Sequence, residues 1–320
     1  MRPLLEVRGL KKYYPIKTGL FGKSVGQVKA VDNVDLDIYP NETLGLVGES
    51  GCGKSTLARL ILRLERPNAG TTIFGGIDAR NATGESIRNL RSGMQVIFQD
   101  PFGSLNPRKK VLSLVEEPML IHRIGTKSEI RERALRLMEL VGMHKDVLGR
   151  YPHEFSGGQR QRICIARSLA LNPKLVICDE PVSALDVSIQ AQVINLLIDL
   201  QDELGLSYLF ISHDLSVVGY ISDRVAVMYL GSIVESAPTS SIYNHPMHPY
   251  TQALLASVPV PKPGLKKVKP KLRGDISNML YTLDGCVFSP RCSLAKDICY
   301  NTKPDLIEKE EGHLVACHMC

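Results

Sequence analysis

The chain has 320 residues, 44% hydrophobic and 22% charged, enough for one large or two ordinary domains with a buried core. No run approaches the ~18 apolar residues that span a bilayer, and the N-terminus carries no signal-peptide apolar stretch, which predicts a cytosolic chain whose membrane role comes through partners. A net charge of +6 is too mild to demand nucleic acid, and eight cysteines in such a chain point to metal or cluster chemistry rather than disulfides.

Residues 4–7 and 30–38 alternate apolar with polar, as half-buried strands of an antiparallel layer do. The Gly- and Lys-bearing segment after Pro15, up to Lys29, reads as a loop. Tyr14 is placed to stack on an adenine, or else it is a tyrosine at the edge of the core. The chain's strongest local signal is Gly48-Glu49-Ser50-Gly51-Cys52-Gly53-Lys54-Ser55-Thr56. It follows the apolar run Leu44–Val47 and precedes a helical period at Leu57, Leu60, Ile61 and Leu64. Strand, Gly-rich turn and helix are the setting of a phosphate-binding loop, with backbone N–H groups and the helix dipole around the anion. Lys54 would reach the β- and γ-phosphates, and the Ser55 hydroxyl would ligate Mg²⁺.

Met94–Phe98 reads as a buried strand ending at Gln99, where α/β sheets bind ligands. Residues 107–150 turn helical, with Ser128 as a cap and Ile130, Ala134, Leu137, Met138 and Val141 on one face before Gly142. Ser156-Gly157-Gly158-Gln159 then opens another helix. Ser156 and Gln159 form a capping box, but a glycine pair at a helix start also permits close approach to a ligand. Leu175–Cys178 is an apolar strand running into Asp179-Glu180, and adjacent acids at a buried strand end are costly without a cation or proton. Beside a phosphate loop, Asp179 reads as the Mg²⁺ partner and Glu180 as the group that orients and deprotonates the attacking water. Asp186 precedes a long amphipathic helix ended by Gly205. Tyr208–Ser212 is the next strand; it ends at His213, placed to sense a γ-phosphate. Val225–Tyr229 is the expected last strand of this layer.

These pieces, in this order, resemble the ATP-binding subunits of ABC transporters: the phosphate loop, Gln99, the Ser156–Gln159 signature, Asp179-Glu180, Asp186 and His213. Phe98–Pro107, Tyr151–Glu154 and His245–Tyr250 are similar to the oligopeptide/dipeptide importer ATPases, and the likeness runs from about Leu4 to Cys317. The resemblance implies an α/β fold: a P-loop ATPase core of mixed sheet and helices, an antiparallel β layer, a helical subdomain and a small Cys-rich C-terminal module. It places the ATPase domain at 1–240, its helical subdomain at about 104–165 and the extension at 241–320. It also implies a head-to-tail dimer with each ATP between one subunit's phosphate loop and its partner's signature. Gln99 and His213 join Glu180 in catalysis, Gln99 joins Ser55 and Asp179 around Mg²⁺, and Asp186 belongs to the dimer loop. The implied partners are a second homologous ATPase chain in a heterodimer, two membrane permeases and an extracytoplasmic substrate-binding protein, without nucleic acid. The implied location is peripheral, on the cytoplasmic face of the cell membrane.

Past about Ser240 the chain is expected to leave the ATPase core, with no nucleotide residue beyond His213. Residues 259–273 read as a basic, Pro-rich linker. Beyond it come Cys286, Cys292, Cys299, Cys317 and Cys320. Cysteine spacing leaves zinc and an iron–sulfur cluster both open, since only Cys317 and Cys320 form a C-x₂-C knuckle. Resemblance to cluster-bearing importer ATPases implies [4Fe–4S] on Cys286, Cys292, Cys299 and Cys317, with Cys320 extra. The activity so implied is ATP hydrolysis powering peptide import. Alternatives are the same role for nickel complexes or sugars, a soluble ABC protein acting on nucleic acid or ribosomes, or a regulatory module sensing iron or redox state. Proteins of the soluble class typically carry two cassettes or a long coiled-coil insertion, and this chain has neither.

Overall fold

The structure, a computed structural model, describes residues 2–18, 23–257 and 284–320; the basic linker expected at 259–273 lies outside them. The chain folds as two compact units. One comprises residues 1–4, 38–42 and 74–211; the other comprises 5–37, 43–73 and 212–320.

In the first unit the strands Met94–Ile97, Leu175–Asp179 and Ser207–Ile211 run parallel, with Ile97 opposite Cys178 and Asp179 opposite Ile211. Their near-continuous apolar runs fit strands covered on both faces. Helices Val111–His122, Lys127–Leu140 and Gly157–Leu169 pack on one another through Val115, Met119, Ala134, Met138 and Ile163, all fully buried. The helix expected from Ser128 starts earlier. Thr126 is its N-cap, because its hydroxyl accepts from the Glu129 N–H while the Glu129 carboxylate accepts from the Thr126 N–H at 2.6 Å. Helix Val187–Leu204 closes at Gly205 as its periodicity predicts.

In the second unit Thr43–Val47 runs parallel to Arg224–Tyr229 and leads into the phosphate loop and the helix Lys54–Ile61. Arg224–Tyr229 is not the last strand. Ser232–Pro238 pairs antiparallel with it, His313–Val315 pairs with that strand, and Ile307–Glu310 adds the edge. The sequence hid the middle strand because Glu235 interrupts its apolar pattern, yet Glu235 is completely buried. Its carboxylate accepts from the N–H groups of Met247 (2.7 Å) and His248 (3.1 Å) and pairs with His313 Nε2 at 2.7 Å. A buried acid with that many partners is satisfied rather than stranded.

The antiparallel layer places Lys23–Ile38, Leu5–Thr18 and Ala69–Phe74 side by side in that order. Leu5, Val7, Val31 and Val34 form its buried face. The segment up to Lys29 expected to be a loop is largely strand: one strand runs on to Thr18 and the next begins at Lys23. Residues 19–22 fall outside the described part.

Candidate active site

The phosphate loop is shaped by contacts no side chain would allow. Gly53 sits at φ 110°, and a Cβ there would come within 2.1 Å of the Ala30 carbonyl oxygen. A left-handed backbone wedged against another strand admits only glycine. Lys54 is 5% exposed, and its Nζ donates to the Gly48 carbonyl at 2.7 Å and the Glu49 carbonyl at 3.1 Å. The ammonium is thereby held across the mouth of its own loop, where an anion would exchange for those carbonyls. Ser55 and Thr56 follow in the first turn of the helix. Cys52 is buried beside Lys54, and burial pushes its thiol pKa up.

Tyr14 lies next to this helix. Its hydroxyl bonds the Glu65 carboxylate and the Thr56 side chain, while the Lys12 ammonium stands 5.1 Å from its ring. Burial, with Glu65, raises its pKa. The neighbouring Tyr13 is committed elsewhere, donating to Asp32 at 2.5 Å. His213 is exposed in the turn between Ile211 and the helix Leu215–Ile221.

The other unit gathers Gln99, Asp179 and Glu180 at the carboxyl ends of adjacent parallel strands. Gln99 Nε2 donates to Glu180 Oε2 at 3.0 Å. Glu180 sits at φ 51°, a left-handed conformation that costs a non-glycine residue about 1–3 kcal/mol and clusters at functional sites. The signature peptide begins the helix Gly157–Leu169. Ser156 caps it reciprocally with Gln159, at 3.4 and 3.1 Å, so the capping box expected from sequence is present. Gly158 is there for space: a Cβ would stand 2.4 Å from the Ile189 side chain. Asp186 holds the N-cap position of the helix Val187–Leu204 without a side-chain capping bond.

Two arginines that sequence reasoning passed over organise these motifs. Arg160, in the signature helix, donates to the Pro152 carbonyl at 2.7 Å and stacks 3.8 Å over Phe102, three residues past Gln99. Arg291 donates to both carboxylate oxygens of Glu49, at 2.8 and 3.2 Å. Arg291, far beyond His213, thus reaches the phosphate loop through the Glu49 side chain. The only sequence signal for Arg160 was its place one residue after the signature; Arg291 had none, lying 242 residues from its partner.

Of the C-terminal cysteines, Cys286, Cys292 and Cys299 are buried, Cys317 is half-buried and Cys320 is exposed. Among the described residues no three His, Cys, Asp or Glu side chains converge closely enough to hold a metal ion as they stand. Cysteine sulfurs are nonetheless the donor class that zinc and iron–sulfur clusters take. Burial pushes Cys286 up to about 11, and Cys317, Cys299 and Cys292 add to the rise, which favours its neutral thiol. Backbone N–H groups of Leu294 and Met319 point at the sulfurs of Cys292 (3.4 Å) and Cys317 (3.3 Å). A hydrogen bond from the Cys320 thiol lowers Cys317 to about 6, in the thiolate range.

The ABC transporter family model matches residues 31–183, and that of the oligopeptide/dipeptide transporter C-terminal region matches 234–299. The chain is 53% identical over 319 residues to the oligopeptide transport ATP-binding protein AppF of Bacillus subtilis, covering 99% of this chain and 97% of that one. It is 50% identical over 315 residues to the dipeptide transport ATP-binding protein DppF of Haemophilus influenzae, covering 98% and 96%. Among solved structures it is similar to the dimeric ATP-binding cassette MJ0796 bound to ADP and Pi, with TM-score 0.64, 28% identity, and 73% and 98% of the two chains covered. The chain belongs to the ABC transporter family, among the ATP-binding proteins of oligopeptide and dipeptide transporters.

Proposed function

We propose that this chain hydrolyses ATP to power peptide import through separate membrane subunits. The observation that carries the reading is full-length similarity to the peptide-transport ATP-binding proteins, joined to a phosphate loop with its buried lysine. Lys54 and the loop N–H groups hold the β- and γ-phosphates, Tyr14 lies against the adenine, and Ser55, Asp179 and Gln99 surround Mg²⁺. Glu180 orients the water and takes its proton, with Gln99 holding the carboxylate in place; His213 reads the γ-phosphate. Ser156–Gln159 serves the ATP of a second, homologous ATPase chain, with Asp186 in the dimer loop. That the similar MJ0796 cassette is dimeric supports a dimer by analogy of fold. The ATPase domain spans 1–240, with its helical subdomain at about 104–165, and the C-terminal extension spans 241–320.

Two permeases and an extracytoplasmic substrate-binding protein complete the transporter, and the chain sits peripherally on the cytoplasmic face of the membrane. No helix among the described residues is long and apolar enough to cross it. Cys286, Cys292, Cys299 and Cys317 are proposed to hold a [4Fe–4S] cluster, for which the crowding of these cysteines in the C-terminal stretch, three of them buried, is the support. When bound, the cluster supplies a covalent staple for a module with little apolar core. Identifying the proteins that co-purify with this chain from detergent-solubilised membranes tests the assignment. Permeases and a homologous ATPase are expected; ribosomal proteins or nucleic acid in their place would overturn it.

A further inference from the structure

Glu49 places a carboxylate inside a loop built to bind anions. Uncompensated, that charge opposes any phosphate entering the loop. Three groups fix the residue. Its N–H donates to the Tyr250 hydroxyl at 2.9 Å, its carbonyl accepts from Lys54, and its carboxylate takes the bidentate fork of Arg291. Arg291 is 6% exposed and lies in the turn between Cys286 and Cys292, where its N–H closes onto the Phe288 carbonyl at 3.0 Å. Phe288 meets Tyr229 and Tyr250 at ring distances of 5.3 and 5.5 Å, so the cysteine module packs directly beneath the residue that holds Glu49.

A second strap reaches the loop's other flank. Lys303, also from the module, pairs with Asp32 at 2.7 Å. The Asp32 N–H donates to the Gly231 carbonyl at 2.7 Å, and the Gly231 N–H to the Cys52 carbonyl at 2.8 Å. Both straps end on the phosphate loop, and both begin in the stretch that carries the cysteines.

We propose that Arg291 is a positioning residue for ATP: it neutralises and orients Glu49, and through it the integrity of the cysteine module sets the affinity of the phosphate loop for nucleotide. This rests on reading Gly48–Thr56 as the ATP site. It makes Arg291 a determinant of ATP binding, because the pair it forms is present before the transition state and is not aimed at the reacting γ-phosphate.

The test compares variants of the full chain, measuring ATP affinity with a fluorescent ATP analogue and KM and kcat in the assembled transporter. Arg291→Gln should raise KM for ATP about tenfold, as loss of a charge-assisted bidentate pair implies, with kcat within about twofold. Arg291→Lys should recover part of the loss. Glu49→Gln in the Arg291→Gln background should also recover part, since the unpaired charge is gone. Cys292→Ser should weaken binding like Arg291→Gln and add little to it, because both act through one contact. Additive losses, a fall in kcat with KM unmoved, or no recovery in either Arg291→Lys or the Glu49→Gln double variant would overturn the proposal. Lys54→Ala separates the two readings: if that variant binds ATP normally, the phosphate-loop assignment fails, whatever Arg291 does.

Discussion

Gln99 and Glu180 meet at 3.0 Å although 81 residues separate them, because their strands are neighbours in a parallel sheet and both end at its carboxyl edge. The amide donates to the carboxylate, so Gln99 fixes the orientation of Glu180, as a water-orienting base would require. Glu180→Gln should keep ATP binding and lower turnover by at least about a hundredfold, the usual contribution of a positioned base. The ATP-bound dimer should accumulate on size-exclusion chromatography. Near-normal hydrolysis in the variant would remove Glu180 from that role.

Ser156 and Gly158 face a different test, because the account assigns them to the partner's nucleotide. Changing both to alanine should leave ATP binding by the isolated chain nearly intact. Hydrolysis by the assembled transporter should fall by about 10²–10³-fold, as when positioned donors to a phosphoryl group are removed. Part of that loss comes from Ile189, which leaves no room for a Cβ at Gly158. Isolated-chain affinity falling as far as in Lys54→Ala would contradict the shared-site arrangement.

His248 gives the unit an acid limit. It is 1% exposed, its Nδ1 accepts the Tyr250 N–H at 3.1 Å, and burial lowers its pKa from 6.5 to about 4. As pH falls, the unfolded chain takes up the proton first. The stability from the neutral ring is full above about pH 6.5 and is lost between there and about pH 4, a span worth about 3 kcal/mol. Denaturant unfolding across that range should show His248→Gln with a shallower acid slope than the parent chain. Equal slopes would place the acid sensitivity elsewhere.

The cysteine module should be brown when the chain is purified without oxygen, with broad absorption near ~400 nm and about four irons per chain. Cys292→Ser should bleach it and Cys320→Ser should not. Stoichiometric zinc without iron would assign the thiolates to zinc.

What the sequence disclosed follows from distance along the chain. The phosphate loop, the Ser156–Gln159 box and Asp179-Glu180 are local patterns, and local hydrogen-bonding rules fix them whatever surrounds them. Thr126 displaced Ser128 as a cap because two reciprocal bonds to Glu129 outweigh one hydroxyl. The strand Ser232–Pro238 was hidden because Glu235 reads as solvent-exposed until Met247, His248 and His313 are brought to it. Arg291 was invisible for the same reason: nothing in the local sequence announces a partner on another element.

The central claim, that this ATPase drives peptide import, is tested most directly in proteoliposomes. The chain would be reconstituted with its co-purifying permeases and homologous ATPase, with the substrate-binding protein on the outer side. Internal ATP should drive accumulation of labelled peptides, peptide-loaded binding protein should stimulate hydrolysis, and Glu180→Gln should abolish both. ATP hydrolysis that ignores peptides, with none accumulated, would contradict the account.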